Sequence, residues 1–200
     1  MHEAVLHLKR SDPVLASIIE RVGEYRLEFR EPDFGTLVRS IVYQQLSGKA
    51  AGTILKRLLE AAPGGLTPEA ILGMSVEQMR ALGLSGQKTM YLRDLAERTL
   101  SGEVDFGSLA HLPDEAVIER LTRVKGVGVW TAHMFLIFAL RRPDVLPTGD
   151  LGVRAAIRNA YRMRQLPKPA RIEKMARRWR PYCSVATWYL WRSLDGPAQI

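Results

Sequence analysis

The chain has 200 residues, with 29 Lys and Arg against 21 Asp and Glu and a formal net charge of +8 at pH 7. Its 46% hydrophobic and 25% charged residues exclude a disordered chain, and its length suits one domain or two small lobes around a real core. A single cysteine, Cys183, excludes a disulfide framework, a cysteine zinc site and a four-cysteine iron–sulfur cluster, and the lack of a membrane-length apolar run or a signal-peptide core over 1–10 predicts a soluble intracellular protein.

The hydrophobic pattern is helical nearly throughout, with few alternating stretches, no low-complexity linker and no repeat register; it predicts an all-α fold of about ten helices. Ser11-Asp12-Pro13 opens a first helix, with Ser11 or Asp12 as cap and Pro13 in the first turn. Phe34, Leu37, Val38, Ile41 and Val42 recur at three and four, the spacing of one buried face. Gln44-Gln45-Leu46-Ser47-Gly48 interrupts that pattern. Ser47 is a good cap for a following helix carrying Ala50, Ala51, Ile54, Leu55, Leu58 and Leu59, which Pro63-Gly64-Gly65 ends. Short helices are predicted over 68–72 and 75–82, and a longer one over 87–100 with Tyr91, Leu92 and Leu95 inward. Pro113-Asp114-Glu115 starts the next helix with acids at its positive end, and that helix runs towards Arg123. Gly126-Val127-Gly128 leads into an apolar helix over 129–140. Pro143 and Pro147 bound an extended link, a helix begins near Asp150, and two more cover 170–179 and 184–194.

Charge is uneven along the chain. The last fifty residues hold eleven Lys and Arg against two acids, a net of +9; the other 150 hold eighteen against nineteen. Such a concentration suits a polyanion partner, nucleic acid first, although a basic run is also an ordinary solvated helix surface. The segment from Leu121 to Ala132 is more specific. Two glycines around one aliphatic residue let the backbone turn tightly and leave successive amides unshielded by Cβ atoms. At the start of the helix from Val129 such amides hold a phosphate oxygen, while Val127 pins the turn to the core. The same three residues also suit a plain helix–helix turn with a glycine C-cap; the flanking Leu121, Val124, Thr131 and Ala132 favour the phosphate-binding hairpin.

Leu121-x-x-Val124-x-Gly126-Val127-Gly128-x-Trp130-Thr131-Ala132 resembles the helix–hairpin–helix of the DNA glycosylase superfamily that carries a Gly/Pro-rich loop and an aspartate. Here that loop follows as Leu146-Pro147-Thr148-Gly149-Asp150-Leu151-Gly152. Within the superfamily the chain is similar to the 3-methyladenine DNA glycosylase II (AlkA) type, with further likeness at 34–51, 82–96 and 179–191, over about 11–195 in all. The resemblance implies a compact helical form without the N-terminal β domain. It would be one unit of two helical lobes with the active-site cleft between them. The helix–hairpin–helix would occupy about 114–140, and the segment 1–33 would pack with the helices of 151–195.

Breaking an N-glycosidic bond develops positive charge on the deoxyribose, which a carboxylate beside the sugar stabilises. By resemblance Asp150 is the catalytic aspartate. An Asp before a helix is also an ordinary N-cap, and the two roles are compatible because a cap orients the carboxylate. The family's lyase branch has a nucleophilic lysine two residues after the second hairpin glycine. Trp130 stands there, implying a monofunctional enzyme that hydrolyses the bond with water and needs no catalytic cofactor. Lys125, Gly126, Gly128, Val129 and Thr131 match contacts to the DNA backbone. Trp130 and Trp191 match aromatic walls of a base pocket; Trp188 and Tyr189 lie nearby in sequence, and all of these aromatics also suit a core. Aromatic faces attract cationic alkylated purines by about 0.5–2 kcal/mol each. Met134 stands where the type has an aromatic, which makes that wall softer.

Gln45 matches the wedge that fills the emptied stack, polar where the type is apolar, with Leu46 as its apolar neighbour. The alternative is that Gln44 and Gln45 hydrogen-bond the helix break and Leu46 is core. Main-chain carbonyls of Thr122, Val124 and Val127 match positions for a structural Na+ or K+ at the hairpin. Cys183 replaces a usually basic residue and has no functional reading beyond an unpaired thiol. The implied function is excision of alkylated bases, of the 3-methyladenine and 7-methylguanine class, from double-stranded DNA. The protein would be an intracellular monomer, cytoplasmic and nucleoid-associated if the cell is prokaryotic. A non-enzymatic DNA-binding module stays open, with Asp150 speaking against it. A bifunctional oxidised-base glycosylase/lyase also stays open, with Trp130 speaking against it.

Overall fold

Short polar residues at the chain's helix breaks act as caps in the computed structural model, which describes residues 2–195. Asp12, Asp33, Ser47, Thr67, Ser75, Ser85, Asp105 and Asp150 each accept a first-turn N–H, worth about 1 kcal/mol apiece. The described residues form thirteen helices and no strand. In chain order they are α1 (His2–Ser11), α2 (Pro13–Val22), α3 (Phe34–Tyr43), α4 (Gly48–Ala61), α5 (Pro68–Gly73), α6 (Val76–Ala81) and α7 (Gly86–Leu100). There follow α8 (Phe106–Leu109), α9 (Asp114–Thr122), α10 (Val129–Phe138), α11 (Leu151–Ala160), α12 (Pro169–Ala176) and α13 (Cys183–Arg192).

The fold is all-α as the periodicity predicts, with more helices than the ten expected. Two have no counterpart in the sequence reading. Helix α1 buries only Ala4 and Leu8, too thin an apolar stripe to stand out. Helix α8 is a single turn held by its Asp105 cap. Between the two candidate caps at the first break the structure chooses Asp12, because Ser11 still belongs to α1.

The chain divides into two units. One joins the N-terminal segment up to Phe29 to the C-terminal segment from Arg141. Its core brings Leu8, Leu15 and Ile18 together with Val153, Ile157, Ile172, Trp179 and the nearly wholly buried α13. Asp12 joins the two segments. It is buried, and besides capping α2 it accepts hydrogen bonds from the Tyr161 hydroxyl and, at 2.9 Å, from the Trp179 indole. Burying a carboxylate is tolerated here because several donors replace its lost water. Cys183 is a free, buried thiol in this core. Burial, with Asp144 adding to it, pushes its pKa well above the ordinary range, so the thiol is inert.

The other unit is Arg30–Leu140. Helix α7 packs against α3, α5 and α6, and α10 packs against α9 and α3. Leu37, Val38, Ile41, Leu92, Leu95, Leu121 and Leu136 are fully buried, each contributing about 1.5–3 kcal/mol by leaving water. Helix α10 is apolar on nearly all sides, and its Phe135 ring meets Phe106. This burial holds rigid the turn that precedes α10.

Candidate functional site

The turn between α9 and α10 is built around Gly126, whose φ of +78° lies in the left-handed region. A Cβ there would lie 2.2 Å from the Tyr91 ring, so the close approach of α7 itself requires glycine. Val124 and Val127 are buried and pin the turn from below. Gly128 is the cap of α10 and offers no side-chain acceptor to the first-turn amides, which belong to Val129, Trp130 and Thr131. Val129 and Trp130 are exposed, whereas Thr131 is buried. Successive amides at a helix start form an anion-binding surface. The exposed Lys125 adds a cation beside it.

Asp94 of α7 supports the hairpin from within. Its carboxylate accepts from the Lys125 backbone N–H at 2.9 Å and from Arg98 Nε at 2.9 Å, and Lys125 Nζ lies at 3.4 Å. Burial raises this carboxyl's pKa, but the Lys125 amide and the Arg98 guanidinium outweigh it and hold the group below the ordinary carboxylate value. A depressed folded value means that its stabilisation is complete above the unfolded pKa of about 3.9 and is lost as pH falls through the folded value. Urea unfolding of Asp94→Asn should therefore show a deficit at pH 7 that closes in acid; a deficit constant with pH contradicts this account.

In the same unit Gln45, Leu46, Trp130, Thr131 and Met134 line one cavity of about 1040 Å³. Leu46 is 40% exposed and so is not a core residue. Gln45 is exposed, with φ +57°, a conformation unusual for any residue but glycine. Gln44 turns inward to the hairpin, its Nε2 donating to the Gly126 carbonyl at 2.9 Å. Of the alternative set out above, Leu46 is not core, and the Gln44 side chain bonds the hairpin carbonyl and not the helix break, while Gln45 is exposed. Tyr43, another lining residue, carries the Arg39 guanidinium 4.2 Å over its ring.

Asp150 lies in the first unit at the N-cap of α11 and is 8% exposed. Its Oδ1 accepts from the Val153 N–H at 2.6 Å and from the Trp191 indole N–H at 2.9 Å. The cap role and a fixed carboxylate thus coexist in one side chain. Gly152 allows the approach, since a Cβ there would sit 3.1 Å from Asp150 Oδ1 and 3.2 Å from the Trp191 ring. Trp191 is half-buried, while Trp188 and Tyr189 are core.

The family model of the HhH-GPD superfamily of base excision DNA repair proteins matches residues 38–181, which include the hairpin and Asp150. The chain belongs to that superfamily. It is 38% identical to DNA-3-methyladenine glycosylase 1 of Schizosaccharomyces pombe over 96% of this chain and 86% of that protein. The solved 3-methyladenine DNA glycosylase of that yeast, in complex with abasic DNA, superposes with a TM-score of 0.85 at 37% identity, covering 96% of this chain and 97% of the other. The DNA-3-methyladenine glycosidase of Bacillus halodurans superposes with a TM-score of 0.87 at 37% identity, covering 96% and 89%.

Sequence reading missed two supports of this superfamily member's hairpin, Tyr91 beside Gly126 and Asp94 on the Lys125 amide, and it missed Lys88, which donates to the Val42 and Gln44 carbonyls. Tyr91 and Asp94 lie over thirty residues from the turn they support. One signal was present: an acid at 94 amid the buried face of Leu92, Leu95 and Ala96 needs a partner.

Proposed function

We propose that this chain is a monofunctional DNA glycosylase that flips alkylated bases out of duplex DNA and hydrolyses their N-glycosidic bond. The observation that carries the reading is Asp150, a buried carboxylate oriented by the Val153 amide and the Trp191 indole on the loop that follows the hairpin. The hairpin amides take the backbone phosphate, with Lys125 beside them. Gln45 and Leu46 fill the vacated stack, and Trp130 and Met134 wall the cavity that receives the base. As the bond breaks, the Asp150 carboxylate stabilises charge on the sugar and orients water for attack. A cationic base of the 3-methyladenine or 7-methylguanine class leaves neutral, so the reaction needs no acid to protonate it. Trp130 in place of a lysine leaves the abasic strand uncut.

Main-chain carbonyls of Thr122, Val124 and Val127 are the positions for a Na+ or K+. The Val124 oxygen accepts the Val127 N–H at 3.0 Å and retains a second lone pair. Neutral oxygens of this kind fit a hard monovalent cation, which would supply positive charge next to the phosphate. The protein works as a monomer in the compartment that holds the DNA. No helix among the described residues is long and apolar enough to cross a membrane.

The test is incubation with methylated duplex, analysed with and without hot alkali. Free methylated base should appear, and strand breaks only after alkali. Breaks without alkali, or a borohydride-trapped adduct, contradict the monofunctional mechanism; absence of free base contradicts the glycosylase. Trp191→Phe tests the bond to Asp150, because it keeps an aromatic ring and removes the indole N–H together with the five-membered ring. Loss of one hydrogen bond to a charged group predicts a single-turnover rate about tenfold lower with unchanged DNA affinity. An unchanged rate would remove Trp191 from the orientation of Asp150.

A further inference from the structure

Helix α3 stops at Tyr43, and its last turn leaves carbonyls without intrahelical partners. Lys88 supplies what they lack. Its ammonium donates to the Val42 carbonyl and, at 2.8 Å, to the Gln44 carbonyl. A cation at the negative end of a helix is favourable, yet this one reaches there from another element, 44 residues along the chain. Lys88 is half-buried, and no carboxylate among the described residues pairs with it. Its charge is thus spent on two main-chain oxygens.

Those oxygens belong to the residues that launch the loop carrying Gln45 and Leu46. The side chain of Gln44 then closes the circuit by donating to the Gly126 carbonyl. Lys88 lies in the first turn of α7, where Ser85 caps its own backbone N–H. Its helix neighbours at three-residue spacing complete the arrangement: Tyr91 abuts Gly126, and Asp94 holds the Lys125 amide. One stripe of α7 therefore touches both the outward-facing loop and the hairpin.

We propose that Lys88 is a positioning residue that, through the Val42 and Gln44 carbonyls and the Gln44–Gly126 bond, locks the Gln45–Leu46 wedge to the phosphate-binding hairpin. This rests on the reading of Gln45 and Leu46 as the wedge. Gripping the backbone then sets where the wedge enters the stack, and the strained backbone of Gln45 is held ready in the free protein. The role is distinct from binding: the hairpin amides hold phosphate with or without Lys88, whereas insertion needs the loop at a fixed distance from them.

The experiment uses the full chain with Lys88→Met, Lys88→Arg and Gln44→Leu. Wedge insertion is read from 2-aminopurine placed next to a tetrahydrofuran abasic site, excision from single-turnover base release, and backbone grip from affinity for undamaged duplex. Lys88→Met should lose about tenfold or more in insertion and excision, the worth of a charge-assisted hydrogen bond, with undamaged-duplex affinity within about threefold. Gln44→Leu should lose in the same two readouts, and the double variant should be little worse than the weaker single, as coupled residues are. Lys88→Arg, which keeps the charge, should recover part of the insertion signal. If Lys88→Met fails to fold, Gln44→Leu and Lys88→Arg carry the same comparison.

Wild-type insertion in both Lys88→Met and Gln44→Leu overturns the proposal. So does an equal loss of undamaged-duplex binding, which marks a merely structural residue. A borohydride-trapped adduct that vanishes with Lys88→Met would make the lysine a nucleophile instead. If the wild-type chain releases no methylated base, the glycosylase reading fails; if it does so and the variants match it, only the role of Lys88 fails.

Discussion

Asp150→Asn is expected to lower base excision from methylated duplex about a thousandfold or more while leaving DNA affinity intact or slightly raised. The substitution keeps Oδ1, so the bonds from the Val153 amide and the Trp191 indole survive, and α11 keeps its cap. What disappears is the negative charge that the proposed mechanism sets against the sugar. Electrostatic stabilisation confined to the transition state is lost from the rate and not from binding, and removal of one such group costs two to three powers of ten or more. Affinity gains if anything, because one negative charge leaves the vicinity of a polyanion. Single-turnover base release and a gel-shift titration with an abasic analogue check both halves. Retention of most of the activity would sink the catalytic assignment, and a parallel loss of folding, read from circular dichroism, would show that the carboxylate's charge serves the fold.

Gly126→Ala should destroy the hairpin, in contrast to a bulky residue at Gly128. At position 126 a methyl would stand 2.2 Å from the Tyr91 ring, and the left-handed backbone adds strain of roughly 1–2 kcal/mol. Neither can relax easily, since Tyr91 is carried by α7 and the flanking Val124 and Val127 are buried. The expected result is about 3 kcal/mol less stability in urea unfolding, together with weaker binding to damaged and undamaged duplex alike. Nothing lies within 4 Å of a Cβ built at Gly128. A bulky side chain there should leave stability alone and still weaken binding to all sequences, because it covers the amides that open α10. Combining Gly126→Ala with Tyr91→Ala should recover part of the stability. No recovery would place the cost in the backbone alone, and a change confined to lesion preference would remove the hairpin from the role of backbone clamp.

The sequence by itself determined what is local. Helix periodicity, the Ser47 and Asp150 caps, the Gly126–Gly128 turn and the order of hairpin and aspartate all depend on residues within a few turns of one another, where spacing maps directly onto geometry. The reading was weakest where a helix had little apolar face of its own, as in α1, or was a single turn, as in α8. It left open whether Leu46 is core or surface, whether Gln44 and Gln45 hydrogen-bond the helix break, and whether the Trp191 ring is core. Only the tertiary structure places these side chains. It exposes Leu46, turns Gln44 onto the Gly126 carbonyl, and brings the Trp191 indole to Asp150 across 41 residues. It also brought Tyr91 and Asp94 of α7 under the hairpin and Lys88 to the Val42 and Gln44 carbonyls. Polar partners of this kind are selected by buried hydrogen bonds between distant segments, and no spacing rule relates the two ends of such a bond until the chain has folded.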